Sequence, residues 1–82
     1  MSSRWTRAEI ATEVERLDQG VDAKLEGAAD GDRAANDPSL SPRERQFGTT
    51  AAHTLREQAS NMHNLAEALR DGVTPEELGY VR

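Results

Sequence analysis

The chain has 82 residues, of which 35% are apolar and 30% charged, with three aromatic side chains, no cysteine and a formal net charge of −5. These figures leave room for one domain with a thin core. They exclude disulfide staples and thiolate metal sites, and they disfavour a general nucleic-acid binder, which needs a basic face to neutralise phosphates. No apolar run approaches the ~20 residues of a membrane-spanning helix. Met1-Ser2-Ser3-Arg4-Trp5 leads into an amphipathic segment rather than an apolar signal, so a cytoplasmic location is expected. Arginine outnumbers lysine nine to one and alanine is the commonest residue, a composition that fits a GC-rich genome such as that of an actinobacterium or its phages.

The first helix start is written in Thr6-Arg7-Ala8-Glu9. The threonine hydroxyl can accept from the backbone N–H three residues on while the glutamate reaches back to the cap, and Trp5 with Ile10 supplies a hydrophobic staple. A helix is predicted over about 6–29. Its apolar residues Ile10, Val14, Leu17, Val21, Leu25 and Ala28 recur at spacings of three and four within a sector of roughly 80°. That stripe is as narrow as a coiled-coil seam. Gly27 or Gly31 is a natural stop, and the unperiodic stretch that follows reads as a connection over about 30–41.

Ser41-Pro42-Arg43-Glu44 repeats the capping signature, with proline at the first helical position where its missing N–H costs nothing. A second helix is predicted over about 42–71. Its apolar face holds Phe47, Ala51, Leu55, Ala59, Met62, Leu65, Ala66 and Leu69, and Gly72 followed by Val73 suits a Schellman stop. A third box, Thr74-Pro75-Glu76-Glu77, opens a short helix at about 75–79 that carries Leu78 and leads to Tyr80. The expectation is an all-α single domain over 1–82. Its form is a long antiparallel two-helix hairpin with a short C-terminal helical turn, dimerising into a four-helix bundle to hide both stripes.

Candidate chemistry is sparse. His53 and His63 lie about 80° apart on the second helix and outside its stripe, with no Glu-x-x-His partner, so they read as surface residues. The acidic stretch from Asp30 fails as a calcium loop, because Ala35 stands where the turn glycine belongs and Ser41 where the bidentate glutamate belongs. There is no phosphate loop, nucleophile elbow or Cys–His pairing, and no cofactor or metal is expected.

The stronger signal is electrostatic. Glu15, Asp18, Asp22 and Glu26 form an acidic ridge beside the first stripe, and Arg45, Arg56 and Arg70 line one flank of the second. Ridge and flank either meet each other, setting register as charges beside a seam do, or leave the ridge free for a basic partner. The run Phe47-Gly48-Thr49-Thr50-Ala51-Ala52 is small enough to be the closest crossing point of a dimer. The candidate interface comprises Trp5, Ile10, Val14, Leu17, Val21 and Leu25 from the first helix, and Phe47, Ala51, Leu55, Met62, Leu65 and Leu69 from the second. The expected role is a non-enzymatic interaction protein (adaptor, assembly factor or inhibitor) acting as a helical homodimer on a larger protein partner. The alternative is a nucleic-acid-related regulator, either an acidic DNA mimic or a small helical binder using Arg4, Arg7, Arg43 and Arg45.

Overall fold

The computed structural model describes residues 3–81. These form two long helices, α1 (Arg7–Ala35) and α2 (Pro42–Arg70), followed by one 3-10 turn at Glu76–Leu78. There is no strand among the described residues. The helices pack antiparallel as a hairpin measuring 55 × 19 × 18 Å. A compact chain of this length would have a radius of gyration of about 12 Å, against 16.8 Å here. The molecule is a rod two helices thick.

All three capping boxes close. Thr6 Oγ1 accepts from the Glu9 N–H at 3.1 Å and Glu9 Oε1 from the Thr6 N–H at 2.8 Å. Ser41 and Glu44 exchange the same pair at 3.1 and 3.3 Å, and Thr74 and Glu77 at 3.4 and 3.0 Å. At the end of α2, Gly72 takes φ +94°, its N–H donates to the Leu69 carbonyl and the Val73 N–H to that of Ala68. That is the Schellman pair, satisfying carbonyls that the helix leaves open.

α1 runs six residues beyond the predicted stop at 29 and passes through both Gly27 and Gly31. A glycine inside a helix costs only about 1 kcal/mol relative to alanine, and here each is packed against α2. The true stop is Asn36, whose N–H and side-chain amide both return to the Asp32 carbonyl. Pro38 then disfavours helical geometry at Asp37. The connection is thus Asn36 to Ser41, half the predicted length, and Ser39 folds it by donating its N–H and hydroxyl to Asp37 Oδ1 at 2.9 and 2.6 Å. Asp37 is held below the usual carboxylate range by these bonds, with Arg45 nearby adding to the effect.

The seam between the helices follows alternating steps of four and three. On α1 it reads Ile10, Val14, Leu17, Val21, Lys24, Ala28, Gly31 and Ala35; on α2, Gly48, Ala52, Leu55, Ala59, Met62, Ala66 and Leu69. This spacing is the heptad pattern of a coiled coil. Leu17, Ala28, Ala52, Ala59, Ala66 and Leu69 are the buried apolar residues, so four of six are alanines and the backbones approach closely. An apolar cluster sits at the open end of the hairpin, where Leu17, Ala66 and Leu69 are joined by Ile10, Val14, Met62, Leu65 and Leu78.

Four residues assigned from sequence to the apolar stripes fall off the seam: Leu25, Phe47, Ala51 and Leu65, the last half-buried beside the seam against the open-end cluster. Leu25 is 46% exposed because the seam position is its neighbour Lys24, which is half-buried. Phe47 is 60% exposed under the Arg43 guanidinium, and Ala51 is exposed, because Gly48 and Ala52 take the contact.

Candidate functional site

Beside the seam, one long flank carries cross-helix partners at heptad spacing. From α1 it presents Asp18, Leu25 and Asp32, and from α2 Arg70, His63 and Arg56. Arg70 pairs with Asp18, and Arg56 with Asp32. Leu25 is seven residues from each aspartate and His63 seven from each arginine, so the two share the layer between the ion pairs. That layer is an apolar notch of about 410 Å³ lined by Val21, Leu25, Ala59, Ser60, His63 and Arg56. The carboxyl of Asp32 is held below its ordinary range by the Arg56 guanidinium bonded to it, and Arg56 is shifted upward in turn. Both pairs are about half exposed. Their physical effect is to fix which residue of α1 faces which residue of α2, since exposed pairs add little to stability.

The predicted ridge is therefore divided. Asp18 turns inward to Arg70, which also holds Glu67 at 2.9 Å. Glu15 accepts from the Gln19 amide, while Asp22 and Glu26 remain exposed on the solvent side of the same helix. Of the three arginines read as one flank, Arg56 and Arg70 meet α1 and Arg45 lies at the connection. Asp32 falls within the connection predicted over about 30–41 and belongs instead to α1. Its place in the flank was available from its spacing of fourteen from Asp18, once α1 is continued past Gly31.

The open end is closed by a clasp that sequence reasoning found only in outline. The Tyr80 and Trp5 rings meet in a T-shaped pair, 5.6 Å between centroids and 80° between planes. The tyrosine hydroxyl donates to Glu13 Oε2 at 2.6 Å, and Arg16 grips the same carboxylate at 2.6 and 2.7 Å. The Arg16 bond lowers the Glu13 pKa, while burial, followed by the hydrogen bond to Glu13 and then the Glu13 charge, pushes Tyr80 up to about 12. Ser3 and the Arg4 N–H bind Glu76, tying the N-terminal strap to the terminal turn. Glu13 gave no signal as a partner for Tyr80, 67 residues away.

His53 stands 3.3 Å from Glu57 on the surface of α2, and His63 is likewise exposed, at the border of the notch. Among the described residues no three His, Asp or Glu side chains gather in a metal-binding group, and no helix is long and apolar enough to cross a membrane. Arg4 and Arg7 lie at the open end and Arg43 and Arg45 at the connection, so the four arginines do not form one cluster. The small-residue run at 47–52 is the crossing point of α1 and α2 within one chain, with Gly48 and Ala52 against Gly31. No protein-family model, curated protein or solved structure matches the chain.

Proposed function

We propose that this chain is a non-enzymatic protein-interaction module that works as a self-associating helical hairpin, most simply a dimer forming a four-helix bundle, and that it acts by covering a surface of a larger protein. The observation that carries the reading is the mismatch between seam and side chains. The seam is filled largely by alanine and glycine, whereas Leu25 and Phe47 stand outside it, 46% and 60% exposed. A rod with so little buried apolar surface gains stability chiefly through association.

The exposed apolar lining of the notch, with Val21, Leu25 and Ala59 at its border, suits a binding role. The dispersal of Arg4, Arg7, Arg43 and Arg45 along 55 Å speaks against direct DNA binding, which needs clustered cations. The test is solution mass by light scattering over a dilution series, with helicity followed on the same samples. A helical species of twice the 9.0 kDa chain mass that persists on dilution is expected. A helical monomer at all concentrations overturns the reading.

A further inference from the structure

We infer that the surface through which two copies associate is the flank bearing Asp18, Leu25, Asp32, Arg56, His63 and Arg70. In the assembly, α1 of each copy lies antiparallel on α2 of the other about a two-fold axis parallel to the rod. This rests on the self-association just proposed and specifies its face and its polarity.

The argument is the symmetry of the flank. Read along α1 it runs Asp18, Leu25, Asp32; read along α2 it runs Arg56, His63, Arg70, each at steps of seven. The two ion pairs Asp18–Arg70 and Asp32–Arg56 fix the register, so every layer holds one α1 and one α2 residue. Two such faces can be apposed along their length in two ways. A two-fold axis along the rod keeps the layers matched and exchanges the helices. It sets each aspartate opposite an arginine of the partner and closes each ion pair into a ring of alternating charge. A two-fold axis across the rod instead lays α1 on α1, with Asp18 opposite the second copy's Asp32 and arginine opposite arginine. Like charges so placed are unfavourable, and the first arrangement is selected.

The middle layer then receives apolar surface. The notch between the ion pairs, about 410 Å³ and bordered by Val21, Leu25 and Ala59, lies on the axis, so each Leu25 meets the other copy's notch. Of the outer residues, Glu15 and Asp22 extend the acidic half on α1, whereas the acidic Glu67 stands on the α2 half. There it is already held by Arg70. The area suffices, because a face of 55 by 19 Å projects roughly 1,000 Å², against about 800 Å² per partner in a specific interface.

The experiment uses a fourfold exchange, Asp18→Arg, Asp32→Arg, Arg56→Asp and Arg70→Asp, which reverses both ion pairs but keeps each within the hairpin. This variant is expected to fold and to dimerise with itself, since α1 still meets an α2 of opposite charge. The polarity is read by cross-linking with a short bismaleimide in the wild-type background: two Asp18→Cys copies share a layer when α1 lies on the partner's α2 and are expected to cross-link, whereas α1 on α1 would set them about 21 Å apart, fourteen residues at ~1.5 Å each. Cross-linking of Asp18→Cys only to an admixed Asp32→Cys chain, and not to itself, overturns the inference. A second variant, Leu25→Lys, alters an exposed side chain and is expected to stay helical while its dissociation constant rises roughly a hundredfold, two leucines being lost per interface. A Leu25→Lys dimer as tight as wild type overturns the face while leaving self-association standing. A monomeric wild type overturns the self-association reading itself.

Discussion

Gly31 and Gly48 mark the closest approach of the two helices: a Cβ on either would stand 2.6 Å from the carbonyl oxygen of the other. The neighbour in each case is backbone, which cannot swing aside, so any side chain there must push α1 and α2 apart. Alanine improves helix propensity by up to about 1 kcal/mol, whereas overpacking a tight contact costs about 1–3 kcal/mol. Gly31→Ala and Gly48→Ala are therefore expected to lower the melting temperature. Gly27→Ala is the control. Its Cβ would meet only the Leu55 Cδ1 at 2.9 Å, the movable tip of a side chain, and the variant is expected to melt at or above wild type. Equal losses at all three positions in thermal denaturation would remove the special status of the Gly31–Gly48 crossing.

Lys24 occupies the seam one step from Leu25, half-buried between the Val21 and Ala28 positions. A single lysine at such a position sacrifices stability and narrows the choice of register and oligomer. Lys24→Leu is expected to stabilise the hairpin by about 1 kcal/mol, less than the ~1.5–3 kcal/mol for fully burying a leucine because the position is only half-buried. It is also expected to broaden the distribution of assemblies seen by sedimentation velocity. A less stable variant with an unchanged distribution would show that the lysine stem already packs as well as leucine.

The element starts were legible because capping boxes are local chemistry: Thr6, Ser41 and Thr74 each announce a helix through a glutamate three residues on. The seam was legible only where it is hydrophobic. Leu25 outweighed Lys24, Phe47 outweighed Gly48 and Ala51 stood in for Ala52, because sequence reading weights apolar surface whereas close helix contact selects small residues. The overlooked stretch of α1 has the same origin. Gly31 looks like a stop in isolation and becomes a packing residue only when Gly48 is opposite. The flank emerged in part, since Asp18, Arg56 and Arg70 were recognisable as charges beside a stripe. The pairing of Asp32 needed the helix to be continued.

Leu17 is 1% exposed at the centre of the open-end cluster, whereas Leu55 is only half-buried against Gly27. Truncating a buried leucine removes transfer free energy and leaves a cavity, costing about 2–5 kcal/mol. Leu17→Ala is expected to fall in that range, and Leu55→Ala well below it, by chemical denaturation. Similar costs would mean that the middle of the rod is as well packed as its end, or that a second copy covers Leu55.

The clasp makes the alkaline limb of stability readable at one group, since Tyr80 is the only tyrosine. Its folded-state pKa is raised from 10.0 to about 12 by burial and by Glu13, so the unfolded chain gives up the phenolic proton first. The stabilisation is complete below pH 10 and is lost as pH rises towards 12. Tyr80→Phe, which keeps the ring against Trp5 and removes the bond to Glu13, is expected to cost about 1 kcal/mol at neutral pH, the usual net worth of a hydrogen bond. It should also flatten the stability profile in that alkaline window. Equal alkaline destabilisation in wild type and variant would assign the loss to other groups.

The acid limb has the opposite sign and more contributors. Glu13, Asp32, Asp37 and Glu76 are all held below their ordinary pKa values, by Arg16, Arg56, Ser39 and Ser3 respectively. In each case the unfolded chain binds the proton more readily, so stability is full above the ordinary carboxylate range and falls as pH drops through the lowered values. Three of these carboxylates tie separate parts together: Glu13 the C-terminal tyrosine, Asp32 the two helices, Glu76 the N-terminal strap. Glu76→Gln keeps the shape of the side chain but removes its charge. If the strap is held by that carboxylate, the variant should lose stability at pH 7, and its difference from wild type should shrink to nothing as both are acidified. A difference that stays constant down to the acid transition would mean that the strap binds through contacts indifferent to the Glu76 charge.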